Sequence, residues 1–178
     1  MATTPSQTWT EPRIGAADAS KSGFLLRCLL AALAVLVCYQ FQWEWLRHLT
    51  LECNLRFDAA LGVQLERVGF DTVMWNGHLY HYVVACTFAD VWCGAIAFLW
   101  QLRRTILQNL VALAGFTFSL FVFNIVRLSF SDLLCARGAS WNLGHNVISG
   151  ISYFLIWTWL QRQRVNSQDS DICDTSPA

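Results

Sequence analysis

The chain has 178 residues, of which 55% are hydrophobic and 13% are charged, and it carries no formal net charge. A soluble domain usually has about 25% charged residues, so this composition indicates a membrane protein. The neutral balance disfavours nucleic-acid binding, which needs a basic surface. The seven cysteines include no CxxC pair, which disfavours a disulfide framework and a zinc site.

The two terminal segments are polar and rich in small residues, which is typical of disordered chain. We predict a disordered cytoplasmic arm at 1–22 and a disordered cytoplasmic tail at 163–178, on either side of one membrane domain at 23–162. The first apolar segment follows Lys21 in the manner of a signal peptide. No small-residue cleavage site comes after it, so we expect an uncleaved anchor.

Four segments have the length of a membrane-spanning helix, which needs roughly 20 mostly apolar residues. They are 24–41, 84–102, 105–126 and 143–160. Basic residues favour the cytoplasmic ends of such spans. If both termini are cytoplasmic, one side of the membrane receives Lys21, Arg103, Arg104, Arg162 and Arg164. The sequence therefore predicts an all-α membrane protein with about four transmembrane helices and both ends inside.

Residues 42–83, between the first two spans, are predicted to form extracytoplasmic structure. Four apolar residues recur there at helical spacing: Phe57, Leu61, Leu65 and Val68. This pattern predicts an amphipathic helix lying in the membrane interface, with Gly69 as its stop. Further on, β-branched and aromatic residues on both sides of Asn76-Gly77 predict a small β-hairpin. The hairpin would lead the chain directly to Cys86.

Three unlike reactive side chains are predicted to meet at the extracytoplasmic end of the bundle. Cys86 begins the second span, Arg127 follows the third, and His145 begins the fourth. A thiolate can attack a peptide carbonyl while an imidazole takes or returns the proton. A guanidinium can stabilise the thiolate or the developing oxyanion. These groups together are sufficient for a cysteine peptidase.

Two polar residues within the spans are predicted to support this set, because polar side chains at such positions are usually functional or paired. Asp90 is four residues beyond Cys86, where it would orient His145, pair with Arg127, or simply join helices. Asn124 is one turn before Arg127, where it would hydrogen-bond Arg127 or bridge two helices.

Each reactive residue also has a purely structural interpretation. Cys86 would then be a small buried residue, Arg127 would extend to the lipid headgroups, and His145 would be an interfacial histidine. Cys93 is a rival nucleophile, but it lies about two helical turns deeper. A metal site at the hairpin is disfavoured because His78 and His81 fall on opposite faces of a strand.

The segments around these residues resemble the exosortase/archaeosortase family of membrane sorting enzymes, over about residues 55–158. The resemblance is carried by 77–87, where a hairpin leads to Ala85-Cys86-Thr87, by 123–127, similar to the family's Asn-x-x-Arg helix end, and by 145–150, similar to the start of its histidine-bearing helix. One position departs from the family pattern. Phe88 stands where the family usually has glycine, two residues after the cysteine.

The resemblance implies that Cys86 is the nucleophile, Arg127 the site cation and His145 the general acid/base, with no cofactor. It implies a bacterial inner-membrane protease whose active site faces away from the cytoplasm. The expected substrates are tail-anchored exported proteins with a C-terminal sorting signal, whose cleaved acyl group passes to an acceptor. Two alternatives stay open, a hydrolytic intramembrane cysteine protease and a non-catalytic membrane assembly factor.

Overall fold

The computed structural model describes residues 14–102 and 104–173, with side chains described for 22–102 and 104–163. It is mostly helical, with five α-helices and a small three-stranded sheet among these residues. The helices are α1 Ile14–Cys38, α2 Glu44–Ala60, α3 Ala89–Leu99, α4 Ile106–Ala136 and α5 Ile148–Cys173. The strands are β1 Glu66–Arg67, β2 Thr72–Trp75 and β3 His78–His81.

Helices α1, α3, α4 and α5 pack side by side in alternating directions. Polar contacts fix the antiparallel pairing of α1 with α3: Arg27 donates to the carbonyls of Ala97 and Trp100, at the C-terminal end of α3. Tyr39 donates to Asp90, at the opposite end of α3. The Arg27 contact satisfies carbonyls that have no partner within their own helix. It therefore fastens α1 to the C-terminal end of α3.

The longest helix, α4, begins at a capping box and runs past its predicted end. Thr105 accepts a hydrogen bond from the Gln108 backbone, and the Gln108 side chain accepts one from the Thr105 backbone. Its 31 residues correspond to about 46 Å, whereas the hydrocarbon core of a bilayer is about 30 Å thick. The sequence analysis ended this span at 126, and the helix continues for ten more residues to Ala136.

One helix among the residues with described side chains, Ile106–Ala136, is long and apolar enough by itself to cross a membrane. Shorter apolar helices occur at Ser22–Cys38 and Ala89–Leu99. The helical class and the small sheet agree with the sequence analysis, and the count of four spans stays a prediction.

The helix predicted outside the bundle lies earlier in the chain than the apolar pattern indicated. Helix α2 ends at Ala60, and Gly62 follows with a φ of 81°, a conformation that glycine adopts without strain. The predicted continuation through Leu65 to Val68, with a stop at Gly69, is therefore wrong. The chain instead reverses at Gly62, and residues 66–67 pair with β2.

The predicted hairpin is confirmed, and a third strand joins it. β2 and β3 pair antiparallel around the Asn76-Gly77 turn, with Val73 opposite Tyr80. Val73 is buried in a core shared with Leu51 of α2, Leu128 of α4, and Tyr82. The sheet is thus fastened to the α2–α4 pair, and this places the end of β3 beside the upper part of α4.

Helices α1 and α5 extend into the two terminal segments, for which disorder stays a prediction. Helix α1 begins at Ile14, inside the predicted arm, and helix α5 extends to Cys173, inside the predicted tail. The rest of both segments, 1–13 and 174–178, lies outside the described residues. Alanines 16, 17 and 19 favour extension of α1 because alanine has the highest helix propensity.

Candidate active site

A cavity of about 40 Å³ lies between the hairpin, α4 and the turn before α5. Its lining includes Cys86, Asp132 and His145, together with His81 and Trp141. This volume accommodates at least one water molecule, which occupies about 10–15 Å³ on this measure. The structure therefore brings Cys86 and His145 to one cavity, as the sequence predicted, and adds a carboxylate that the sequence analysis missed.

Cys86 is presented by a short 3₁₀ turn, Val84–Thr87, between β3 and α3. Its backbone N–H donates to the Val83 carbonyl at 2.9 Å, and its carbonyl accepts from the Asn124 amide at 2.7 Å. The Thr87 hydroxyl closes the turn by donating to the Val84 carbonyl at 2.7 Å. These contacts fix the backbone at Cys86, so the half-buried thiol has a defined position at the cavity wall.

His145 lies in a π-helical turn, Asn142–Val147, that leads into α5. The turn comes close to α4 because Gly144 has no side chain: a Cβ there would lie 2.6 Å from Cys135 Sγ and 3.2 Å from the Ser131 carbonyl oxygen. The imidazole stacks on Trp141, with ring centroids 3.5 Å apart. Its Nε2 lies 3.0 Å from Asp132 Oδ1. The ring is thus held on one face by an indole and at one nitrogen by a carboxylate.

Asp132 is the residue that the sequence analysis missed. It was assigned to a loop because the third span was taken to end at 126, whereas it lies on α4, five residues beyond Arg127. Buried polar residues continue along this end of the helix, with Ser129, Ser131 and Asp132 following Arg127. This polar series at helical spacing was the available signal that α4 continues and carries a site.

Arg127 lies behind the cavity wall and is 6% exposed. Its guanidinium donates to Asn124 Oδ1 at 3.0 Å and to the Ser149 hydroxyl, and it lies over the Phe88 ring, 4.7 Å from the ring centre. These contacts point inward, so the side chain does not extend to a headgroup layer. Arg127 acts on Cys86 by its charge and through Asn124, which bonds both residues. Asn124 therefore hydrogen-bonds Arg127 and also joins α4 to the turn that carries Cys86.

Asp90 makes contacts other than those to the predicted site. Its Oδ2 accepts from the hydroxyls of Tyr39 and Tyr153, each at 2.8 Å, and its Oδ1 accepts from the Val91 backbone at 2.8 Å. Among the described contacts, Asp90 bonds neither His145 nor Arg127. Its contacts join α1, α3 and α5, which is the structural role considered for it.

Phe88 has a backbone conformation that glycine adopts without strain. Its φ of 56° lies in the left-handed region, which costs a bulky side chain roughly 1–2 kcal/mol. The ring is fully buried, edge-on to Tyr153 with centroids 5.0 Å apart. It also forms the aromatic surface beneath Arg127. Phe88 thus has a strained backbone, and its buried ring makes contacts that position Arg127.

The other cysteines and histidines are placed less favourably for the predicted chemistry. Cys93 lies against Cys38 within the bundle, away from the cavity lining. Cys135 is buried beneath Gly144. His81 does line the cavity, and its Nδ1 lies 2.9 Å from the Thr72 hydroxyl. It is the second imidazole near Cys86 and was set aside by the sequence analysis.

No group of three or more His, Cys, Asp or Glu side chains within the described part of the chain is arranged to hold a metal ion. No protein-family model, curated protein or solved structure matches the chain. The family likeness therefore rests on the motifs in the sequence, and the chemistry rests on the cavity.

Proposed function

We propose that this protein is a membrane cysteine peptidase of the exosortase/archaeosortase type. It cleaves the C-terminal sorting signal of tail-anchored exported proteins and transfers the acyl product to an acceptor. The observation that carries the proposal is the shared cavity of Cys86, His145 and Asp132. Cysteine peptidases use a thiol as nucleophile, an imidazole that transfers its proton, and a third polar group, such as a carboxylate, that orients the imidazole.

The contacts of His145 assign its two nitrogens. Nε2 is used by Asp132, so Nδ1 takes the proton of Cys86 as the thiolate attacks the scissile carbonyl. The tetrahedral intermediate collapses when His145 returns that proton to the leaving amine, and a thioester of Cys86 remains. An acceptor nucleophile, or water, then releases the acyl group and regenerates the thiol. Asp132 stabilises the imidazolium that exists between these steps.

The positive charge of Arg127 supports the same chemistry. Asn124 links the guanidinium to the backbone of Cys86, and a cation near a thiol favours the reactive thiolate. The Nε of Arg127 is buried and has no hydrogen-bond partner among the described residues. Because Arg127 lies behind the cavity wall, its charge would stabilise a developing oxyanion from outside the cavity.

Exposed apolar faces support a location in the membrane. Helices α1, α4 and α5 each direct large apolar side chains outward, among them Leu36, Phe118 and Phe154, which are 65%, 71% and 69% exposed. Apolar surface of this extent in a soluble monomer would be a liability. In lipid it is the surface expected of a spanning helix.

The segment that contains α3 also has the length needed for a fourth span. The 3₁₀ turn contributes about 8 Å, the 11 residues of α3 contribute about 16 Å, and the extended backbone at Trp100 contributes about 3 Å before the chain turns at Gln101. The sum is close to the thickness of the hydrocarbon core, about 30 Å. We therefore propose four spans in the inner membrane, with both termini cytoplasmic and the cavity on the opposite face.

The proposed topology is tested with an impermeant thiol reagent on intact cells. The exposed positions Glu44 and Arg104 lie at opposite ends of the bundle. Glu44→Cys should add labelling over the unmodified chain, whereas Arg104→Cys should add labelling only after permeabilisation. Labelling of both positions, or of Arg104→Cys alone, would contradict the arrangement.

The proposed activity is tested by co-expression with an exported reporter that carries a C-terminal hydrophobic tail. Cys86→Ala and His145→Ala should abolish processing, whereas Cys53→Ala on α2 and His81→Ala should leave it. Loss of processing in His81→Ala but not in His145→Ala would assign the base to the hairpin. Processing that survives in Cys86→Ala would remove the peptidase proposal and favour an assembly factor.

The mass of the processed reporter separates transfer from hydrolysis. A free carboxylate at the new C-terminus would indicate water as the acceptor, whereas an added mass would indicate a transpeptidase. A thiol reagent provides a second comparison, since an activated Cys86 should react faster than the half-buried Cys53. The reference thiol must be accessible to the reagent, which excludes the buried Cys135.

A further inference from the structure

A buried polar cluster continues from the cavity into the interface between α2 and α4. Asn54 and Asp58 of α2 are both 0% exposed, and they face Asp132 and Ser129 of α4. The Asn54 amide nitrogen lies 2.7 Å from Asp58 Oδ2, 2.9 Å from Asp132 Oδ2 and 2.8 Å from the Tyr82 hydroxyl. The second oxygen of the carboxylate that binds His145 is therefore held by this cluster.

Two ionised carboxylates would be poorly stabilised in this cluster. The Asn54 amide has two N–H donors, at most one for each carboxylate, and its own oxygen accepts from Ser129 at 3.0 Å. Asp58 Oδ1 is buried without any hydrogen-bond partner among the described residues. An ionised carboxylate left in this state would have a large desolvation cost. One additional proton on the pair removes that cost.

The surrounding charges decide which carboxyl carries the proton. The basic groups of the site both face Asp132: His145 Nε2 lies 3.0 Å from Asp132 Oδ1, and the charge of Arg127 acts on the same carboxylate. The groups that face Asp58 from its own helix, from α4 and from the hairpin are Asn54, Asp132, Ser129 and Tyr82, and none is a cation. The proton therefore belongs on Asp58, whose carboxyl shares the Asn54 amide with Asp132.

We infer that Asp58 is a positioning residue, a neutral acid that donates a hydrogen bond to the Asp132 carboxylate and limits the charge facing His145 to a single negative unit. Its effect on catalysis rests on the proposed function, whereas its protonation does not. Burial, followed by the neighbouring Asp132 carboxylate, raises the pKa of Asp58 to about 7, which agrees with this assignment.

The inference predicts a specific pH dependence. When Asp58 loses its proton, Asp132 loses a donor and the cluster gains a second negative charge. That charge opposes formation of the Cys86 thiolate. Reporter processing by the unmodified chain should therefore fall as the pH rises through about 7.

Two substitutions separate this role from a structural one. Asp58→Asn keeps a neutral donor toward Asp132, so it should process the reporter at close to the unmodified rate near pH 6 and lose the decline at higher pH. Asp58→Leu removes the donor and should lower processing roughly tenfold to a hundredfold at every pH, the factor expected for one lost buried hydrogen bond to a charged group. Glu44→Gln, an exposed charge change on the same helix, should leave the profile unchanged. A decline in Asp58→Asn identical to that of the unmodified chain would overturn the inference.

Infrared spectroscopy of the purified protein tests the protonation without requiring activity. The unmodified chain near pH 6 should show the carbonyl band of a neutral carboxylic acid, and this band should disappear at high pH and in Asp58→Asn. The band together with an unprocessed reporter would reject the proposed function but retain the protonated Asp58. Processing without the band would retain the peptidase and reject the inference about Asp58.

Discussion

His145 Nε2 and Asp132 Oδ1 lie 3.0 Å apart, and they join the turn before α5 to the upper part of α4. The approach depends on Gly144, because any larger residue would collide with Cys135. The contact holds Nε2 of the imidazole toward Asp132. In the proposed peptidase, Asp132 would orient His145 for proton transfer with Cys86.

We expect Asp132→Asn to lower processing by about 10²–10⁴-fold, because an amide can stabilise the wrong tautomer of His145 and cannot stabilise its cation. Asp90→Asn is the matched control, a buried aspartate on α3 that bonds Tyr39 and Tyr153 instead. It should lower the unfolding temperature in detergent and leave the processing rate of the folded protein unchanged. The comparison uses initial rates normalised to the amount of folded protein.

The reverse result would move the carboxylate role to Asp90. A large loss of rate in Asp90→Asn with normal rates in Asp132→Asn would mean that the short contact to His145 has no catalytic role. Equal and small losses in both variants would favour a purely structural histidine.

The sequence predicted some features of this site well because they depend on local chemistry. Asn76-Gly77 between β-branched and aromatic residues predicted the hairpin, and the ends of apolar segments predicted that Cys86 and His145 lie at one level. Asp132 could not be placed in the same way. The helix was predicted to end at 126 from the length needed to cross a membrane. Its polar extension is stabilised by packing against α2, the hairpin and the turn before α5.

The Asn54–Asp58 pair was missed for a related reason. An apolar repeat that included Leu65 and Val68 shifted the predicted helix away from the observed range of α2. The repeat has helical spacing, but the left-handed conformation at Gly62 interrupts it. The polar face of the true helix is recognisable only when its partner, the end of α4, is known.

Replacement of Arg127 should distinguish its charge from its hydrogen bonds. Arg127→Lys keeps the charge, but a single ammonium cannot reproduce the planar fork that reaches both Asn124 and Ser149. We expect processing to fall roughly tenfold in Arg127→Lys and about 10²–10³-fold in Arg127→Gln. Arg137→Gln, an exposed arginine just after α4, is the control. Normal processing in Arg127→Gln would restrict Arg127 to a structural role.

Phe88 should show an unusual order of stability among small substitutions. Any truncation loses a buried ring and costs about 3–5 kcal/mol. Alanine also retains the left-handed strain, whereas glycine relieves about 1 kcal/mol of it. We therefore expect Phe88→Gly to be more stable than Phe88→Ala, measured by unfolding in mixed micelles. Both variants should slow processing because Arg127 loses the aromatic surface beneath it.

Phe123 is the matched control for this order. Its ring is stacked on Phe88, with centroids 6.3 Å apart, but its backbone is that of an ordinary helix. At Phe123 the alanine variant should be the more stable by about 1 kcal/mol, since glycine is unfavourable within helices. The same order at both positions would contradict strain at Phe88.

The protonation of Asp58 should also affect stability as a function of pH. Its pKa is raised from an ordinary 3.8 to about 7 by burial and by Asp132. Between these values the folded state keeps a proton that the unfolded state has lost, so stability decreases as the pH rises. The contribution is fully present below 3.8 and is lost as the pH passes through about 7. The asparagine in Asp58→Asn does not titrate, so this part of the pH dependence should be absent there. The unfolding free energy of Asp58→Asn relative to that of the unmodified chain should therefore be higher at about pH 8 than at about pH 5. A difference that stays constant would show that Asp58 is ionised in the folded protein at both pH values.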